Sequence, residues 1–235
     1  MQTLKRQYYE LRTLQMRNGA QPQRANEFLS KHFLPAAKRA GMGPLGVFNA
    51  VIAEGSPFFT LLLTYPSFAD AEHMHDKMLA DSAYTTAADG WHKSMDPGYS
   101  RYESTLLRGF EGHPQLTMPP ESKTGHIFEL RTYESNSELS LKKKIAMFNA
   151  GEAGIFQRLG MNPVFFGEAI VGAKLPHLTY MLAYDDLAAR DRVWKAFGAD
   201  PEWQKLRAMP GLSDAEIVSN ISNAILRPAA YSEIR

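Results

Sequence analysis

Hydrophobic and polar positions alternate with period two over residues 8–16 and again over 127–134, the signature of strands with two differently furnished faces. Each is followed by a helical segment, about 21–40 and 140–159, ending at a glycine suited to a helix C-terminus, Gly41 and Gly160. Pro44 and Pro163 open second strands that run to about Ala53 and Gly172, and short Gly/Pro turns lead into third strands at about 58–65 and 177–184. Ser67 followed by Asp70 resembles a capping box, and Asp186 stands at the corresponding start in the second half. Second helices are predicted over about 68–80 and 187–197, each followed by an Asp-led turn, at Asp81 and at Asp200-Pro201. Last strands fall at about 99–110 and 217–226.

The two halves are copies. Glu10, Leu11, Arg12 and Thr13 recur 119 residues on as Glu129, Leu130, Arg131 and Thr132, and the same ungapped offset pairs Gly41, Met42 and Pro44 with Gly160, Met161 and Pro163. Over residues 8–108 against 127–227, 20 of 101 pairs are identical, about three times what chance gives at ordinary composition. The chain therefore divides into a repeat at 1–110, a Gly/Pro-rich linker at 111–125 and a second repeat at 126–235. Each repeat reads β-α-β-β-α-β, a ferredoxin-like unit with both helices on one face of a four-stranded antiparallel sheet. The other face would be bare, and strands such as 58–65 are apolar on both sides, so the expected fold is α+β, two ferredoxin-like βαββαβ repeats packed sheet to sheet around a lumen.

Composition narrows the function classes. Lys and Arg number 26 against 25 Asp and Glu, so a net charge of +1 supplies no field for nucleic acid or an anionic membrane. The absence of cysteine excludes disulfides, thiolate nucleophiles and Fe–S clusters. No stretch approaches a membrane span, and no apolar segment follows Lys5 and Arg6 as in a signal peptide. The expectation is a soluble protein, cytoplasmic or exported after loss of a signal absent from this chain. His73 and His75 diverge on a helix, and no Gly-rich phosphate loop or Ser-His-Asp order occurs, so neither metal nor cofactor is expected.

The strand FELRTYES at 128–135, the block LAARDRVWKAFGADPEWQKL at 187–206 and the earlier YELRT at 9–13 resemble the NIPSNAP family, here as a tandem pair. The first repeat departs from the pattern, with Asp81-Ser82-Ala83-Tyr84 in place of Asp-Pro-Glu-Trp. The resemblance implies a dimeric α/β barrel formed within one chain. That superfamily includes cofactor-free monooxygenases, haem-dependent enzymes and proteins of no known activity, so the resemblance carries over no catalytic set.

Candidate chemistry comes from the strands. If Tyr9, Leu11 and Thr13 form the helix-covered face, Glu10, Arg12, Glu129 and Arg131 point into the lumen. They are then either salt bridges fixing the register across the pseudo-twofold or a polar floor for an acidic or carbonyl ligand, with an arginine as bidentate donor. Glu168 shares a face with Val164, Phe166 and Ile170, as a general base raised by burial or as a strand-edge carboxylate in water. His177 begins a strand as a lumen acid/base or as an exposed turn histidine. Trp194 and Trp203 read as core, and Trp203 as a buried plug. Two functions remain open: small-molecule binding in the lumen, with oxygenase-like or isomerase-like activity, or a non-catalytic interaction module acting through its outer helices. Homo-oligomerisation is compatible with both.

Overall fold

The structure, a computed structural model, describes residues 4–92, 95, 97–122 and 125–235. The chain runs through β1 (Tyr8–Gln15), α1 (Gln21–Phe28), a π-helical turn (Leu29–Phe33) that leads straight into α2 (Leu34–Ala40), β2 (Gly46–Ile52), β3 (Phe58–Tyr65), α3 (Phe68–Leu79), α4 (Ser82–His92) and β4 (Arg101–Gly109). It repeats the course through β5 (Ile127–Glu134), α5 (Glu138–Met147), a π-helical turn (Phe148–Glu152), α6 (Ala153–Arg158), β6 (Pro163–Val171), β7 (His177–Tyr184), α7 (Leu187–Ala199), α8 (Pro201–Arg207), α9 (Asp214–Ile217) and β8 (Asn220–Pro228).

The local signals act as read. Gly41 adopts a left-handed φ of 97° at the end of α2, where a side chain would be strained. Ser67 caps α3 by accepting from the Asp70 amide, and Asp186 caps α7 by accepting from that of Ala189. Asp81 differs. The sequence predicts a turn there, yet its carboxylate accepts from the amides of Ala83 and Tyr84 and starts the eleven-residue α4. The Thr85-Thr86 pair and Gly90 lower helix propensity, which conceals this helix in the sequence.

All eight strands pair antiparallel in one closed ring, β1-β3-β2-β8-β5-β7-β6-β4. The sheets of the two repeats face one another across the interior, and they also join edge to edge, at β2–β8 and β4–β6. Closure leaves no free strand edge among the described residues. β1 and β5 lie diametrically opposite. β3 and β7 are buried along their whole length because one face meets helices and the other the interior, which explains their unbroken apolar runs.

Three cores result. One packs α1, α2 and β3 side chains of the first repeat, one does the same in the second, and the third fills the barrel with Tyr9, Phe48, Leu107, Phe128, Phe165 and Leu226. The lower end is closed by Leu116 of the linker and by Ile234, fully buried against this core. Residues of the linker hydrogen-bond across that end, Gln7 N to Pro114 O at 2.8 Å and Thr117 N to Val164 O at 2.8 Å. Lys123 and Thr124, also read as linker, lie outside the described residues. The upper end is open and lined by threonines.

Candidate functional site

The structure reverses the two faces of β1 and β5. Tyr9, Leu11 and Phe128 enter the barrel interior, so Glu10, Arg12, Glu129 and Arg131 lie on the outer wall beneath the helices and not in the lumen. The physical reason is that both faces are covered: apolar bulk on β1 marks the interior, while the helix side is apolar mainly through β3 and β7. The two Glu/Arg pairs are not brought together across an axis. Each belongs to its own repeat.

In the first repeat, Arg12 donates to both oxygens of Glu10, at 2.6 and 2.9 Å, and contacts His75 of α3. Glu10 also accepts from Tyr65 Oη at 2.8 Å and Ser104 Oγ at 2.7 Å. Burial pushes the Glu10 pKa up, but the hydrogen bonds from His75 and Arg12 and the Arg12 charge outweigh it and hold the carboxyl well below its ordinary value. In the second repeat, fully buried Glu129 accepts from Arg131 at 2.8 Å, from Arg190 at 2.7 and 3.1 Å, from Trp194 Nε1 at 2.8 Å and from Asn223 at 3.1 Å. Here too burial raises the pKa and the Arg190 and Arg131 contacts lower it further.

Pattern reading missed Tyr65, His75, Arg190 and Trp194. One signal was present: Tyr65 and Tyr184 are an identical pair at the repeat offset, and both hydroxyls donate to the repeated Glu. Glu168 lies on the helix side beside Phe166, not as an unpaired general base. It bridges Arg108 at 2.9 Å and Lys142 at 2.5 Å, and although burial raises its pKa, these cations bring it below the ordinary value. Its pair with Arg108 crosses the β4–β6 seam. His177 is buried and faces the open end of the barrel, where burial lowers its pKa and Nδ1 lies 3.3 Å from Thr179 Oγ1. Among the described residues, no group of three His, Cys, Asp or Glu is arranged to hold a metal ion.

The repeats differ most in what lies beside the arginine. In the first, a cavity of about 200 Å³ separates the sheet from the helices. Arg12, Leu14 and Leu61 line it from the strands, and Phe28, Phe33, Tyr84, Trp91, Tyr99 and Tyr102 complete an aromatic surround. Phe28 and Trp91 stack at 4.1 Å, and the Arg12 guanidinium lies 6.0 Å from the Phe33 ring and 5.9 Å from that of Tyr102. Arg12 Nε and Nη2 are engaged by Glu10 and His75, while Nη1 is bonded to no described residue.

The corresponding space in the second repeat is full. Leu14 and Leu61 are replaced by Tyr133 and Tyr180, Ala25 by Lys144, Phe33 by Glu152 and Tyr84 by Trp203. All three Arg131 nitrogens are used, Nε by Tyr180 at 3.0 Å, Nη1 by Glu129 and Nη2 by Tyr133 at 3.2 Å. Lys144 is fully buried, 3.2 Å from Glu152 and 3.1 Å from Asp214. Burial works against the ammonium, but the two carboxylates hold its pKa above the ordinary value. Burial drives Glu152 up to about 7 despite Lys144. Trp203, at 6% exposure, closes this plug against Phe197, ring centroids 4.6 Å apart.

An eight-stranded α+β barrel with helices outside is the class that these features define, and solved structures share it along nearly the whole chain. A putative monooxygenase from Lactobacillus acidophilus aligns with a TM-score of 0.60 at 9% identity, covering 95% of this chain and 94% of that one. One from Fusobacterium nucleatum gives 0.59 at 7% identity, covering 95% and 93%. An anthrone oxidase-like protein gives 0.56 at 8% identity, covering 97% and 94%. At such identities the likeness shows the fold. Residues 128–233, most of the second repeat, match the NIPSNAP family model. No curated protein matches the sequence.

Proposed function

We propose that the protein binds a small planar organic acid or phenol in the first-repeat cavity, with Arg12 as the oxygen-binding donor. The observation that supports this is the difference between the repeats: one arginine has every nitrogen satisfied and no space beside it, the other has an open nitrogen beside an aromatic chamber. Ligand sites are typically mostly apolar, with a few polar groups that fix orientation, and this cavity has that composition. Arg12 stays charged because Glu10 neutralises it, so the chamber can accept a carboxylate, phenolate or carbonyl oxygen. Neighbours of the same fold carry monooxygenase and oxidase names, and an oxygenase-like reaction on the bound ring is the chemistry to test once binding is found.

The test is a thermal-shift and calorimetric screen of hydroxybenzoates, naphthols and hydroxyanthraquinones, followed by oxygen-uptake measurements with any binder. Leu61→Tyr places in the cavity the side chain that the second repeat carries there. It is expected to abolish binding while the protein stays folded, and Arg12→Lys to weaken binding by about tenfold through loss of the planar guanidinium. Binding that survives Leu61→Tyr, or no binder in the screen, overturns the proposal.

A further inference from the structure

The open end of the barrel holds a second chamber, on the other side of the wall from the cavity just described. Strand alternation builds it twice over. Leu11 and Thr13 on β1 are repeated as Leu130 and Thr132 on β5, and their cross-strand partners include Thr60 and Thr179, in register with Thr13 and Thr132. The result is a space of about 210 Å³ with leucines at its base, opening into a basin of about 600 Å³ at the mouth.

Hydroxyls dominate the lining, since Thr105 and Ser222 join the four threonines. Thr132 and Thr179 bond each other at 2.9 Å, whereas the hydroxyls of Thr13 and Thr105 are bonded to no described residue. Of the charged groups at the lip, Glu103 lies 3.8 Å from Arg101 and Lys174 lies 4.0 Å from Glu134, while Glu54 lines the outer basin and not the chamber itself. Burial works against the charged form of His177 and lowers its pKa. The inner chamber thus offers groups that both donate and accept, and its two charged residues, Glu103 and Lys174, each have an opposite charge beside them.

An ion would leave its solvation shell here without gaining a counter-ion, while a molecule rich in hydroxyls would exchange water for threonine. The leucine base and Phe58 at the basin wall suit the C–H face of a ring. We infer that the mouth of the barrel is a binding site for a neutral polyhydroxylated molecule, a free monosaccharide or polyol. This site is independent of the Arg12 cavity, and either can fail without the other.

The experiment is NMR of threonine-methyl-labelled protein titrated with D-glucose, D-xylose and myo-inositol, with D-gluconate and D-glucosamine as charged counterparts. Saturable shifts of the Thr13, Thr60, Thr132 and Thr179 methyls are expected with at least one neutral compound, together with weaker binding of its charged counterpart. Thr13→Val with Ser222→Ala removes two hydroxyls at nearly constant shape, and affinity is expected to fall by about tenfold. Leu130→Phe, which narrows the chamber by another route, is expected to abolish binding and serves if the first variant folds poorly. No saturable shift at ligand concentrations far above millimolar overturns the inference. So does tighter binding of gluconate or glucosamine than of glucose, or unchanged affinity in the variants.

Discussion

Glu152→Gln tests whether burial or ion pairing governs the plug in the second repeat. The ordinary pKa of this carboxyl is 4.5, and in the folded protein burial raises it to about 7 against the attraction of Lys144. Between those values the native state holds a proton that the unfolded chain releases. Protons bound in the unfolded state minus those in the native state is therefore negative, and stability falls as pH rises through the window. A gap of about 2.5 pH units at about 1.36 kcal/mol each makes the loss about 3 kcal/mol. Glutamine keeps the shape and removes the titration. Lys144 retains Asp214 at 3.1 Å, and Arg131, Tyr133 and Tyr180, the other polar groups around the plug, are untouched. The variant is expected to match the wild type near pH 4.5 and to exceed it by about 3 kcal/mol at about pH 8. Urea unfolding of both proteins, followed by tryptophan fluorescence at several pH values, measures the difference, and other titrating groups cancel because the two are compared at equal pH. If the variant instead loses ground steadily toward high pH, Glu152 is an ionised partner of Lys144 and the reasoning is refuted.

Trp203→Ala, which empties the space behind Phe197, is expected to cost about 3 kcal/mol or more and to lower the thermal midpoint by roughly 6–12 °C, read by calorimetry. Glu129→Leu leaves Arg131 and Arg190 without their shared carboxylate, and a loss of about 3–5 kcal/mol in denaturant unfolding is expected. Ile234→Ala opens the closed end of the barrel. It should destabilise by about 2–4 kcal/mol, and an unchanged unfolding midpoint would show that the tail does not seal the interior.

The strands and the caps at Ser67 and Asp186 were legible because each is written in local spacing, and the repeat because a single ungapped offset of 119 residues carries it. The assignment of faces was not. Alternation along β1 shows that Glu10 and Arg12 share a side, but with helices on one face and a second sheet on the other, both sides are covered, and only Tyr65, His75, Arg190 and Trp194 reveal where the charges lie. Those partners are 55 to 65 residues away in sequence. Lys144 is different. It falls three residues after Leu141 and four before Phe148, on the apolar stripe of its helix, so its burial follows the helical period, while Lys142 and Lys143 beside it lie off that stripe and are exposed. The aromatic cavity depends on α4, whose weak propensity left it unread, so the residues around Arg12 could not be assembled from sequence.

The two seams, β2–β8 and β4–β6, join halves that share one polypeptide. In a pair of identical single-repeat subunits, any substitution that fills one helix-side chamber fills the other as well, since a single gene copy dictates both. Covalent duplication removes that constraint. Ala25 and Lys144, Phe33 and Glu152, Leu61 and Tyr180 are free to differ, so one half can be rigidified with buried polar groups while its twin keeps an empty space. Lost symmetry thus becomes a division of labour, in which one half's packing lends rigidity to a ring whose other half stays open.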